Sequence, residues 1–298
     1  MALLLIVLTG FSLVAWEGIG RLLARCSRPW LTGGGRGGRG RGSRWIALGS
    51  GGLALTLAIP SVLAMLLWSF AQRWNFPLAW PERWTLENWS GQADNLLSMT
   101  WNTLAIGAAA TGLALVLSIA CLEHEVHHRS AFAERSLWLL YIPLVVPQVG
   151  FLFGVQVLLV WSGLGGGWLA LVWTHLLFVL PYVFLSLADP WRAFDHRYEQ
   201  IALALGASPG RTFWRVKLPM LWGPVAAAAA VGFAVSVAQY LPTLFAGAGR
   251  YATITTEAVT LATGANRRII GVYAVVQATL PLLGFAAALW IVRRRAAT

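Results

Sequence analysis

The chain has 298 residues, of which 58% are hydrophobic and only 11% charged, with a mean hydropathy of +0.66. Soluble domains carry about 25% charged residues, so this chain cannot cover itself with polar surface in water, and a water-soluble enzyme or binding module is excluded. The net charge of +11 is not a nucleic-acid footprint, because the arginines cluster in short loops beside apolar spans, as in loops held on the cytoplasmic side of a membrane. Cys26 and Cys121 fall in or next to predicted cytoplasmic regions, so no structural disulfide is expected.

Taken in order, residues 1–20 are mostly apolar, with Glu17 the only charge, and are long enough to cross a hydrocarbon core of about 30 Å. No basic residue precedes them, which disfavours a signal peptide; they read as an extra N-terminal span. Residues 21–44 form a linker with Arg21, Arg25, Arg28, Arg36, Arg39, Arg41 and Arg44, the later ones set among glycines. Such a run builds no core. Of two readings, an RNA-binding Gly/Arg tail and a tether whose charge fixes topology and attracts anionic lipid, the tether is preferred.

Trp45 to about Ala71 is the second span, with Pro60 inside it. Residues 72–97 are more polar and hold Trp74, Trp80, Trp84 and Trp89, the composition of an outer loop anchored at the interface. Ser98 to about Leu122 is the third span. The short inside loop Glu123–Arg135 contains His124-Glu125-Val126-His127-His128, a literal His-Glu-x-x-His. On a helix His124 and His128 would share a face and hold zinc with Glu125 as base; a polar turn at the membrane edge is the preferred reading, and no metal or cofactor is expected. Ser136 to about Leu164 is the fourth span, with Pro143 and Pro147. Trp168 to about Pro190 is the fifth, expected to break at Pro181. Leu221 to about Gly247 is the sixth; its small residues, Ala226 to Ala230 and Gly232, permit close helix approach in lipid and a central position. Residues 248–268 form a second outer segment, and Ile269 to about Val292 is the last span. The expectation is an all-α polytopic membrane bundle of about seven transmembrane helices, one extra at the N-terminus and six in the core. With the N-terminus outside and the C-terminus inside, all basic residues except Arg73, Arg83, Arg250, Arg267 and Arg268 fall inside, in keeping with the positive-inside rule.

Between the fifth and sixth spans, residues 191–220 carry the only lysine, Lys217. Phe194, Tyr198, Ile201 and Leu205 are spaced for one helix face. Gly206 suits a left-handed helix end, Ser208 an N-cap and Pro209 a first helical turn. Pro219 predicts a stop near Leu218. This segment resembles the cytoplasmic coupling loop of the permease subunits of binding-protein-dependent ABC importers, the type I (MetI-like) family. That loop reads Glu-Ala-Ala, three residues, Gly, nine residues, Ile, one residue, Leu-Pro. Gly206 takes the Gly, and Val216, Leu218 and Pro219 the close. Gln200, Ile201 and Ala202 fall on Glu-Ala-Ala, with Gln for Glu, Ile for Ala and Glu199 one place early. Asn102-Thr103-Leu104 also resembles a recurrent motif of the same family.

The resemblance covers residues 45–298 and implies a non-catalytic transport subunit of a bacterial inner membrane. Glu199, Gln200, Ala202, Gly206, Ala207, Val216, Leu218 and Pro219 would contact ABC ATPase subunits, which hydrolyse ATP. The further partners implied are a second permease half, homologous or identical, and a periplasmic substrate-binding protein. Residues 1–20 would then be the last helix of an upstream half. The chain looks most like the thiamine, iron(III), polyamine and sulfate group, and a thiamine-like small solute is expected. Gln239 and Tyr240, in the partly polar stretch 236–243, are candidates either for the substrate path or for helix–helix hydrogen bonding. Residues 206–212, Gly-Ala-Ser-Pro-Gly-Arg-Thr, miss a phosphate loop in spacing and lack its lysine, so the chain offers a path but no energy source. The competing classes are an ATP-independent transporter or channel, for which Glu17 and His175 are the few intramembrane ionisable groups, and a membrane zinc protease on His124, Glu125 and His128.

Overall fold

The computed structural model describes residues 41–74, 78–127, 140–264 and 266–296. The expected first span, most of the linker, His128 and the rest of the loop after it lie outside the described residues. The described part is helical apart from one small ribbon. Helix α1 is Arg41–Phe70. The strands β1 (Ala71–Arg73) and β2 (Arg83–Trp84) pair antiparallel, Ala71 opposite Trp84. There follow α2 (Glu87–Ser90), α3 (Ala93–His127), α4 (Gln148–Trp161), α5 (Trp168–Arg192), α6 (Arg197–Ala204) and α7 (Pro209–Thr212). A π-helical turn, Phe213–Lys217, leads into α8 (Leu218–Met220), α9 (Trp222–Val237), α10 (Leu241–Gly247), α11 (Ile254–Ala262) and α12 (Arg267–Ala296).

Among the described residues, Ala93–Val126, Trp168–Arg192 and Arg267–Arg294 are long and apolar enough to cross a membrane, and Trp222–Val237 reaches that length only when joined with Pro209–Met220, from which it is bent by 71°. Ile59–Phe70 and Gln148–Trp161 are shorter apolar helices. The chain is a polytopic helical membrane protein.

The core lies where α3, α5 and α9 meet. Leu122, Val179, Val183, Leu187, Trp191 and Ala228 are its buried centre. Helix α5 is mostly enclosed, whereas the most apolar stretch of α12 is fully buried at few positions. In lipid the apolar effect gives no drive for helix association, so close packing must supply it. Gly232 on α9 fits this role: a Cβ there would sit 2.5 Å from Val183 and 3.1 Å from Thr111. At Gly271 on α12 a Cβ would meet the carbonyl of Met65 at 2.6 Å and the amide of Ser69 at 2.9 Å, so α1 and α12 touch backbone to backbone.

Several boundaries differ from the sequence reading. Helix α3 continues to His127, so Glu123, His124 and Glu125 lie on its last turns and not in a loop. Its end is held by Val126 against the core and by polar contacts described below. Helix α5 is unbroken at Pro181, which is buried among its neighbours; packed helices hold a proline-containing helix together. The fourth span is interrupted instead: residues 140–145 are helical, and Pro147 then caps α4 with extended ψ of 121°. The sixth span is broken at Ala238–Tyr240, because Pro242 fits only the first turn of a new helix. Two of the carbonyls at the break are satisfied by side chains, as hydrocarbon demands. Thr255 Oγ1 donates to the Val237 carbonyl, and Thr243 Oγ1 to the Gln239 carbonyl at 2.8 Å. Pro219 does not stop its helix; the chain stays helical to Met220 and bends by 71° at Leu221. The wider π turn just before Pro219 moves aside the carbonyl that its ring would strike.

The two outer segments are also built. Asn88 Nδ2 donates to the carbonyls of Ser69 and Ala71, both at 3.0 Å, and ties α2 to the end of α1. Asn102 donates to the Ala252 carbonyl at 3.1 Å, and Thr103 Oγ1 accepts from Ile254 N at 3.0 Å. The Asn-Thr pair thus holds the entry to α11, whose own cap is a reciprocal Thr253–Thr256 box.

Candidate functional site

The segment between α5 and α9 is a bent helical protrusion. Helix α6 ends in two linked hydrogen bonds: Gly206 N donates to the Leu203 carbonyl at 2.9 Å, and Ala207 N to the Ala202 carbonyl at 3.0 Å. This closure needs a left-handed residue at its centre, and Gly206 has φ of +84°. Ser208 then caps α7, its Oγ accepting from Arg211 N at 3.4 Å, with Pro209 in the first turn. Ala202, Gly206 and Ala207 therefore act together as a backbone elbow. Phe194, expected on one face with Tyr198, Ile201 and Leu205, precedes α6 and is buried, whereas the other three are exposed. With Leu203, Trp214 and Met220 they leave a bare apolar surface on the protrusion, Leu205 being 83% exposed.

What fixes the protrusion to the bundle is a buried ion-pair network. The π turn ends at Lys217, whose side chain is fully buried. Its Nζ lies 2.7 Å from Glu123 Oε2 on α3 and 2.9 Å from Glu199 Oε1 on α6. The same ammonium lies 5.4 Å from the centre of the Trp191 ring and 5.6 Å from that of Phe194, within cation–π reach. Trp191 Nε1 donates to Glu123 Oε2 at 3.2 Å. Glu199 Oε2 lies 2.9 Å from His196 Nδ1. Burial acts to raise the Glu199 carboxyl, but hydrogen bonding and positive charge from His196 and Lys217 outweigh it and hold it below its ordinary value of 4.5. One turn away, Arg192 clamps Glu125 through two hydrogen bonds of 2.9 and 3.0 Å. One lysine thereby joins α3, α5, α6 and the π turn.

Of the other loop positions singled out from sequence, Gln200 is exposed on α6, and Val216 is half-buried in the π turn. Leu218 is half-buried against the core cluster, and Pro219 is exposed. Glu125, a base in the zinc reading, is engaged by Arg192 as above.

Gln239 and Tyr240 lie elsewhere, at the far end of α9, a helix about 24 Å long at 1.5 Å per residue. Gln239 is buried, its Nε2 donating to the His175 carbonyl at 3.3 Å; Tyr240 is half-buried. His175 is buried with both ring nitrogens occupied, 2.8 Å from Ser236 Oγ and 2.9 Å from Thr243 Oγ1.

The sequence matches the family described as "Binding-protein-dependent transport system inner membrane component" over residues 31–295. It is 42% identical over 185 residues to the inner membrane ABC transporter permease protein YnjC of Escherichia coli strain K12, an alignment covering 62% of this chain and 35% of YnjC. It is 31% identical over 192 residues to the molybdenum transport system permease protein ModB of Mycobacterium tuberculosis, covering 59% of this chain and 70% of ModB. To the putrescine transport system permease protein PotI of Escherichia coli strain K12 it is 26% identical over 196 residues, covering 62% of this chain and 68% of PotI. On a polytopic helical fold and a match along most of its length, the chain belongs to the family of binding-protein-dependent transport system inner membrane components.

Proposed function

We propose that this chain is the permease subunit of an ATP-driven importer, and that its protrusion is where ATP hydrolysis in a partner subunit is converted into helix movement. The observation that carries this reading is the form of residues 197–220: a bare apolar surface on a stiff elbow, pinned at its base to α3 and α5 through Lys217. A knob of this kind fits a cleft on an ATPase. Its buried base passes a push to the bundle, which is the bistable element. Glu199, Gln200, Ala202, Gly206, Ala207, Val216, Leu218 and Pro219 shape the knob; Ile201, Leu205 and Trp214 add apolar contact area.

A second permease half completes the path, and a periplasmic binding protein delivers the solute to the face opposite the knob. The knob and the C-terminus lie on the cytoplasmic side. The solute is small and thiamine-like, although relatives named for molybdenum and putrescine transport make molybdate and putrescine necessary comparisons. Tyr240, at the break between α9 and α10, is the side chain proposed to reach the path; Gln239 supports the break from inside.

The test is ATP-driven uptake into vesicles carrying this chain with its ATPase and second half, with thiamine, iron(III), sulfate, molybdate and putrescine as solutes. Uptake that requires ATP and is abolished by Gly206→Glu supports the reading. ATP-independent uptake, or full ATPase retention by Gly206→Glu, overturns it.

A further inference from the structure

At the end of the bundle opposite Lys217, α1, the β1 strand and the start of α12 border an open cleft of about 630 Å³. Three guanidinium groups line it, from Arg73, Arg267 and Arg268, together with the indoles of Trp68 and Trp74. Among the described residues no carboxylate lines it and none pairs with these arginines. The two indoles lie 4.7 Å apart, and Arg267 sits 5.7 Å over the Trp68 ring. Arg268 is fixed by donating to the Gln72 carbonyl and, at 3.4 Å, to Asn266 Oδ1.

Two independent features say what this cleft takes. The first is charge placement. Only five basic residues fall outside the predicted cytoplasmic segments, and three of them converge here, on the side where topology disfavours positive charge. Guanidinium groups held together in this way are suited to bidentate binding of a phosphate. The second is position. The indoles of Trp68 and Trp74 stand where the apolar α1 gives way to the more polar residues 72–97, as interfacial tryptophans do.

We propose that this cleft binds the phosphate headgroup of an anionic phospholipid from the leaflet opposite the coupling protrusion. The lipid phosphate, with its single negative charge, offsets part of the charge of the three guanidinium groups and fastens α1 to the first turn of α12. This inference rests on the chain's membrane fold and not on the transport reading.

The test is native mass spectrometry of the purified full chain, with its co-purifying partners, titrated with phosphatidylglycerol or phosphatidylcholine of identical chains. At about tenfold or more per pair of basic groups near a lipid surface, phosphatidylglycerol is expected to bind at least tenfold more tightly. The Arg73→Gln/Arg267→Gln/Arg268→Gln variant should lose that preference, while Arg83→Gln, outside the cleft, should keep it. Equal binding of the two lipids by the unaltered chain overturns the proposal and needs no folded variant. A preference that survives the triple substitution also overturns it. So does inorganic phosphate binding as tightly as phosphatidylglycerol, which would mark a site for free oxyanions. Capture of an acidic protein by this surface in place of any lipid preference would overturn it as well.

Discussion

Replacing Lys217 by Met removes the ammonium that bridges Glu123 and Glu199 while keeping a flexible apolar side chain against Trp191 and Phe194. The two carboxylates then lose their shared counter-ion, and Glu199 keeps its contact with His196. Breaking a fully buried pair by removing one partner costs about 3–5 kcal/mol. Here the Glu123 and Glu199 side chains keep 25% and 17% of their exposure, so some solvation survives, and a loss of roughly 2–4 kcal/mol is expected from the same principle. Sulfur–aromatic contact returns only about 0.3–1.5 kcal/mol. The assay is thermal unfolding of the purified chain in detergent, paired with limited proteolysis of residues 191–220. Lys217→Met should lower the midpoint and expose the protrusion to protease. The triple change Lys217→Met/Glu123→Gln/Glu199→Gln, which leaves no orphaned charge, should recover most of the loss. A Lys217→Met chain as stable and as resistant as the original would refute the reasoning, as would a triple variant worse than the single one.

Gly206→Ala forces a Cβ into a φ of +84° and should cost about 1–2 kcal/mol, although nothing lies within 4 Å to clash with it; weaker ATPase retention with an unchanged bundle melting profile is the expected pair of results. Gly271→Val places a Cβ against the backbone of Met65 and Ser69, so α1 should separate from α12, read as loss of a cysteine crosslink between the two helices. Because the Glu199 carboxyl is held below 4.5, its folded value lies under its unfolded one. Its contribution to stability is therefore present above that ordinary value and is lost as pH falls through the lower, folded value. Protease resistance of the protrusion should hold from neutral pH to about pH 4.5 and fall below it, and Glu199→Gln should flatten that acid limb.

The protrusion's outline was legible in the sequence because its signals are local: a glycine at a left-handed end, a Ser-Pro helix start, a proline near the close. The lysine network was not legible in that way. Glu123 and Lys217 are 94 residues apart in the chain, and only packing of α3 on α5 brings them within 2.7 Å. A hint existed in the occurrence of a single lysine within an apolar helical run, since a buried ammonium needs partners. The helix breaks were misplaced for one physical reason. Proline was read as a breaker at Pro181 and Pro219, yet enclosed neighbours and a π turn tolerate it there. Interruptions occur instead at Pro147 and before Pro242, the latter where Thr243 and Thr255 satisfy the carbonyls of Gln239 and Val237. The reading of residues 123–127 as a loop fails because the α3 helix is held by tertiary contacts from Trp191, Arg192 and Lys217, which no local pattern reveals.

The central claim is that residues 197–220 grip a nucleotide-hydrolysing partner. A photo-crosslinking residue placed at Leu205, on the bare surface of the protrusion, tests it in intact membranes, with one at Leu86, also exposed and near the opposite end, as the reference. The account predicts that Leu205 captures an ATPase subunit and Leu86 does not. Capture of an ATPase from Leu86, or none from Leu205 while the partner is present and active, would contradict it.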